Sequence, residues 1–376
     1  MSGLKSNAFV WAHKHDVVWM SQNTNHLPTD PAIQEAIKKA VDDRLYNGYP
    51  LSSGLPGLPE AILKDLGLGD DHKVLLTSGG TEALYIAFRA FLEKGDQVIT
   101  GDPSYMILHH FIRLGGATPL DLPCYKAPWH ISVEQIKEAI TPKTKMILFI
   151  DPLNPLGSCY TKDEVRAVCD LAMDHDIILF DDITYRDYAD EHHLTTEFAS
   201  EKTLIAFSLS KTCGFAGMRT GALVTNPTLM EKAATYNTND LSINILGQVG
   251  AKVALETKPK WFPGLKAQAR KNQAIIKEAV DKVEGCVMPV YPSQANMFVV
   301  DVSATGADPT TIQDKLLYEH NVFIRGGSYL SKKFGDRFVR ISFTVPEEGC
   351  RKFAKAFPVV MEEVRKKGGG KAKGKK

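Results

Sequence analysis

The chain has 376 residues, more than one hydrophobic core usually supports, so a large domain, a smaller companion and a cleft between them are expected. Its 45 basic and 44 acidic residues nearly cancel, which argues against nucleic acid or an anionic membrane as partner and favours a small neutral or mixed-charge molecule. Six cysteines without a CxxC pair or a histidine at ligand spacing speak against a zinc site or a disulfide framework and for a reducing, cytoplasmic location.

The first thirty residues break every apolar run with His, Lys, Asp or Asn, and no stretch reaches the roughly 20 apolar residues of a membrane span. A helix is expected over Pro31–Tyr46, within an N-terminal segment (1–48) that packs on the small domain or on a partner subunit. Short β-branched runs follow at 73–77 (KVLLT), 97–100 (QVIT), 144–150 (TKMILFI), 176–180 (DIILF), 203–207 (TLIAF) and 221–225 (GALVT). Helical patterns fall between them over Thr81–Glu93, Ser104–Arg113, Val133–Ala139 and Lys162–His175. This alternation predicts a mostly parallel sheet buried on both faces, an α/β fold forming a three-layer α/β/α sandwich over 49–255. Later the texture changes. A polar-faced helix over Gln268–Val283 and two strands, 295–302 (ANMFVVDV) and 338–343 (FVRISF), predict a smaller α+β domain over 256–365. The tail 366–376 (KKGGGKAKGKK) is too poor in apolar residues to order itself.

In an open α/β sheet ligands bind beyond the carboxyl ends of the strands, so the residues closing each run carry the chemical interest. Run 144–150 leads to Asn154-Pro155-Leu156-Gly157, run 176–180 to Asp181-Asp182 and then Tyr185, and run 203–207 to Ser208-Leu209-Ser210-Lys211. Run 73–77 passes into Ser78-Gly79-Gly80-Thr81, a glycine turn opening a helix whose N–H groups suit a phosphate. Ser208 and Arg219 flank Lys211 at minus three and plus eight, adding a hydroxyl and a fork-shaped donor for a dianion.

Seven segments stand in order along nearly the whole chain. Tyr49 with GLPGL (54–58) is followed by SGGTEAL (78–84), DPSY (102–105), NPLG (154–157), DDITY (181–185), SLSKTCGFAGMRTG (208–221) and FVRIS (338–342). Together they resemble the fold type I pyridoxal 5′-phosphate (PLP) enzymes of aminotransferase class I and II. The resemblance implies that Lys211 holds the cofactor as a Schiff base and shuttles the substrate proton. Asp182 then pairs with the pyridine nitrogen, with Asp181 structural, while Tyr185 and Asn154 bind the 3′ oxygen and Tyr105 stacks on the ring. Gly80, Thr81, Ser208 and Arg219 hold the phosphate, joined by Tyr49 from the other protomer of a homodimer. Arg340, with Asn154, takes the substrate α-carboxylate; no metal is implied.

The implied reaction moves an amino group between an L-amino acid and a 2-oxo acid. A lyase, decarboxylase or cyclase on the same scaffold is the alternative, and a non-catalytic effector-binding module a third. Thr81 stands where some aspartate-using relatives carry a lysine, and Tyr236–Gln248 lacks the arginine that others place there; both count against aspartate specificity. Segments 21–28 and 293–300 are loosely similar to histidinol-phosphate aminotransferases. Substrate choice is expected to depend on loops such as Ser21–His26 and Asn237–Ser242.

Overall fold

The computed structural model describes residues 2–368. Its larger sheet has seven strands: β1 (Lys73–Thr77), β2 (Gln97–Asp102), β3 (Thr118–Pro123), β4 (Thr144–Ile150), β5 (Ile178–Asp182), β6 (Thr203–Ser208) and β7 (Gly221–Thr225). They lie side by side as β1-β7-β6-β5-β4-β2-β3. Strands β2 to β6 pair in parallel, and β7 runs antiparallel to both neighbours, so the sheet is mostly parallel as expected.

Alternation of side chains across each strand makes the layers. On β6, Leu204 and Ala206 enter one apolar core while Ile205 and Phe207 enter another on the opposite face. A sheet apolar on both faces needs helices on both, which yields the three-layer sandwich. Local signals set the helix starts: Ser132 with Gln135 and Thr161 with Glu164 form capping boxes opening Val133–Ala139 and Lys162–Asp174.

Some expectations need correcting. Strand β3 is not among the expected runs; it contains Pro119 and Pro123, which its place at the sheet edge accommodates because an edge strand need not donate every ladder bond. The helix expected from Ser104 starts at Ile107, because the Ser104 N–H donates to Leu330 O at 3.0 Å instead of joining a helix. The helix expected to reach Tyr46 spans Pro31–Asp42, and Arg44 then takes a left-handed conformation before a short 3-10 turn. Gln268–Val283 proves to be the end of a longer helix, Ile245–Asp281, which contains Pro259 and Pro263 and crosses the expected domain boundary at 255/256. Those prolines hid it, but burial of Trp261, Leu265 and Ala269 in the core holds it together.

The smaller sheet is antiparallel, with Phe338–Ser342 between Arg325–Gly326 and Met297–Asp301. The N-terminal segment contains a helix, Ser2–Ala12, which the sequence did not announce. Val10 and Val17 pack with Leu317 and Phe323, and Val18–Trp19 pairs in parallel with Val322–Phe323. Pro31–Asp42 lies on the long helix, where a Cβ on Gly250 would fall 2.8 Å from Ile37 Cδ1. The final helix, Glu347–Gly368, extends into the stretch expected to lack structure; residues 369–376 lie outside the described residues. Among the described residues no helix is long and apolar enough to cross a membrane, and no cluster of residues suits a metal. The six cysteines are free.

Candidate active site

Sheet register brings the chain's polar loops to one place. Ile150 pairs with Asp182, Asp182 with Ala206, and Gly221 sits between Thr77 and Ser208, so the ends of β1, β4, β5 and β6 and the start of β7 share one rim. Beyond that rim lies a cavity of about 580 Å³. Its lining includes ten residues picked from the sequence: Gly80, Thr81, Tyr105, Asn154, Asp182, Tyr185, Ser208, Lys211, Arg219 and Arg340. Tyr49 does not line it; this side chain is 85% exposed.

At one end the helix Gly80–Phe91 points its first turn at Ser208 and Arg219. The Arg219 guanidinium donates to Ser78 O at 2.8 Å and Ala216 O at 3.0 Å, which fixes its plane beside the turn. A Cβ on Gly79 would meet that guanidinium at 2.7 Å, and Gly79 has φ +82°, so both space and conformation require glycine there.

In the middle, Asp182 accepts from Thr184 Oγ1 at 2.5 Å and Thr184 N at 3.2 Å. Burial raises its pKa, while the Thr184 bonds and the charge of Lys211 oppose the rise. Its neighbour Asp181 faces away and accepts from Thr195 N at 3.0 Å and Thr195 Oγ1 at 2.8 Å; burial pushes it up to about 7. Asp181 is thus a tie within the fold and Asp182 the carboxylate offered to the cavity. Lys211 Nζ donates to Gln22 O at 2.9 Å. Burial, then the charges of Arg340 and Arg219, bring its pKa down to about 7.

At the far end the Tyr185 hydroxyl accepts from Asn23 Nδ2 at 3.1 Å and Asn154 Nδ2 at 3.4 Å. Arg340 Nη1 donates to Asn154 Oδ1 at 2.9 Å, and its Nη2 donates to Ser21 O. Asn23 is locked in turn by Ser342 Oγ, which donates to its Oδ1 at 2.6 Å.

Several lining residues carried no motif signal, among them Asn7, Arg325 and Tyr329, while Asn23 and Thr184 lie within segments singled out without a role for either residue. Asn7 and Asn23 reach the site only because the N-terminal segment folds back across the cavity. Arg325 carried the same signal as Arg340, a guanidinium inside an apolar run, without a motif to point at it.

Residues 15–357 match the family described as aminotransferase class I and II. The chain belongs to that family and is an enzyme that transfers amino groups. Among its relatives is an aspartate aminotransferase of Pyrococcus horikoshii, 27% identical over 350 residues, covering 89% of this chain and 88% of that enzyme. An aspartate/prephenate aminotransferase of Thermus thermophilus is 26% identical, covering 92% and 91%. A solved structure of a Thermus thermophilus aspartate aminotransferase double mutant shares the fold, with a TM-score of 0.82 at 24% identity over 95% of this chain and 96% of that one.

Proposed function

We propose that the cavity holds PLP on Lys211, and that the chain uses it to move an amino group between an L-amino acid and a 2-oxo acid. The observation that carries this reading is convergence: an amine, a carboxylate, a phenol and an amide line one cavity, with hydroxyls and a guanidinium grouped at a helix N-terminus at its end. The donor set fits the cofactor. Gly80 and Thr81 N–H, Ser208 and Arg219 suit a phosphate dianion, Asp182 suits a ring nitrogen that must stay protonated, and Tyr185 with Asn154 suits the 3′ oxygen. Tyr105 offers the ring an aromatic face.

When bound, PLP supplies an electron sink for charge developing at the substrate Cα. The chain's own residues do the rest. Arg340 binds the α-carboxylate, sharing it with Asn154, and so orients the Cα–H bond. Lys211 Nζ, brought down to about 7, carries a lone pair near neutral pH and moves the proton from Cα. The segment Ser21–Asn23 lines the cavity beside these groups, and Gln22 O accepts from Lys211 Nζ.

A homodimer belongs to this reading. Leu45, Tyr46, Tyr49 and Leu51 leave an exposed apolar stretch, which a second copy would cover while Tyr49 reached its partner's phosphate. A cytoplasmic location accords with six free cysteines.

Apoprotein should bind PLP, turn yellow, and lose that colour when a suitable amino acid leaves its amino group on the cofactor. Protein that takes up no PLP, or that consumes amino acids without leaving amine behind, overturns the reading; the second outcome marks a lyase.

A further inference from the structure

Arg325 lines the same cavity as Arg340, is only 8% exposed, and has no carboxylate partner among the described residues. Its Nε is buried without a hydrogen bond, and its guanidinium lies over the rings of Tyr329 at 4.7 Å and Phe323 at 5.1 Å. Arg325 is also the direct cross-strand partner of Arg340 in the antiparallel smaller sheet, so both side chains rise from the same face. Two like charges opposite each other, both desolvated, oppose folding unless anions join them. Among the cavity's lining residues Asp182 is the only acid.

We propose that Arg325 is a specificity-determining residue that receives an anionic group on the substrate side chain, so that the enzyme's amino acid or 2-oxo acid carries a second negative charge. This rests on the reading of the cavity as an aminotransferase site. With Arg219 assigned to the phosphate and Arg340 to the α-carboxylate, Arg325 is the cation left for the far end of the substrate. The aromatic faces of Tyr329 and Phe323 hold the guanidinium without neutralising it, which keeps its donors available. An acceptor supplied within the chain also accounts for a cavity that lacks both a lysine at Thr81 and an arginine in Tyr236–Gln248.

The test measures kcat/KM for aspartate against asparagine, glutamate against glutamine, and O-phosphoserine against serine, in wild type and in Arg325→Gln. Wild type should prefer an anionic member of at least one pair, the carboxylate pairs or the phosphate pair naming the group. Arg325→Gln should cut that preference about 30-fold or more, and Arg325→Lys should restore part of it. An equal loss on both members of each pair would mean that Arg325 helps to grip the α-carboxylate, and would overturn the proposal, as would a wild type without preference. Calorimetry with glutarate and valerate adds a readout independent of turnover. Glutarate should bind wild type more tightly, by a margin that Arg325→Gln removes; equal binding overturns the proposal. A wild type that transaminates nothing tested but still prefers glutarate would indict the functional reading, whereas neutral preference with active transamination would indict Arg325 alone.

Discussion

Two clusters of charge lie within a few residues of each other and obey opposite rules. In the first, Lys258 Nζ contacts Asp65 at 2.8 Å and Asp187 at 2.6 Å, Arg186 pairs with Asp65, and Thr212 Oγ1 donates to Asp187 at 2.7 Å. Burial alone would raise the Asp187 carboxyl, but Arg186 and Lys258 beside it hold it well below the ordinary range. In the second, the cavity, Lys211, Arg219, Arg325 and Arg340 face a single carboxylate. The first cluster satisfies itself and anchors the loop carrying Lys211, since Thr212 is the next residue. The second holds four cations against one carboxylate, an imbalance that the proposed anionic ligands would correct. Paired charge holds structure; unpaired charge of one sign, buried at a cost in Arg325 and Arg340, marks a candidate binding place.

Substitutions can break this contrast. The largest effect should come from Lys211→Ala, which should lower kcat about 10⁴-fold or more in a steady-state assay while changing the apoprotein's unfolding free energy by less than about 1 kcal/mol. Next, Asp187→Ala should destabilise the protein by about 3–5 kcal/mol in a denaturant titration, because it strands Lys258 and Arg186 without a counter-charge. If Asp187→Ala proved neutral to folding and Lys211→Ala destabilising, the division between the clusters would fail.

Smaller effects sharpen it. The folded-state pKa of Lys211 is lowered, so its amine is mostly protonated below about 7 and mostly neutral above. Covalent capture of PLP by apoprotein, followed by absorbance, should therefore rise about tenfold per pH unit below about 7 and level off above it. A midpoint near the ordinary lysine value would mean that the cationic cavity does not depress the amine. Asn23→Ala, which removes the 3.1 Å bond to the Tyr185 hydroxyl, should lower kcat/KM about 5- to 10-fold, and Asn23→Asp should not restore it because a carboxylate cannot donate.

Much of this was legible in the chain. Runs such as TKMILFI and TLIAF announce strands buried on both faces because consecutive apolar residues, Met146–Ile150 and Leu204–Phe207, fill both sides of the strand, and the polar groups at their ends fall on the sheet rim by topology. Asp182 could be told from Asp181 by its spacing to Tyr185, and the structure turns Asp181 onto Thr195. Strand β3 and the middle of the long helix were not legible, since proline statistics describe interior positions and both elements survive through edge placement or tertiary burial.

The sequence by itself determined the sandwich, the order of its strands' loops and ten residues of the cavity, because periodicity and local spacing are properties of neighbouring residues. Only the tertiary structure decided that Asn7 reaches the site from the N-terminus and that Asn23, within an expected specificity loop, bonds the Tyr185 hydroxyl. Only it set Arg325 opposite Arg340, because cross-strand register joins residues through packing and hydrogen bonds that no local pattern encodes.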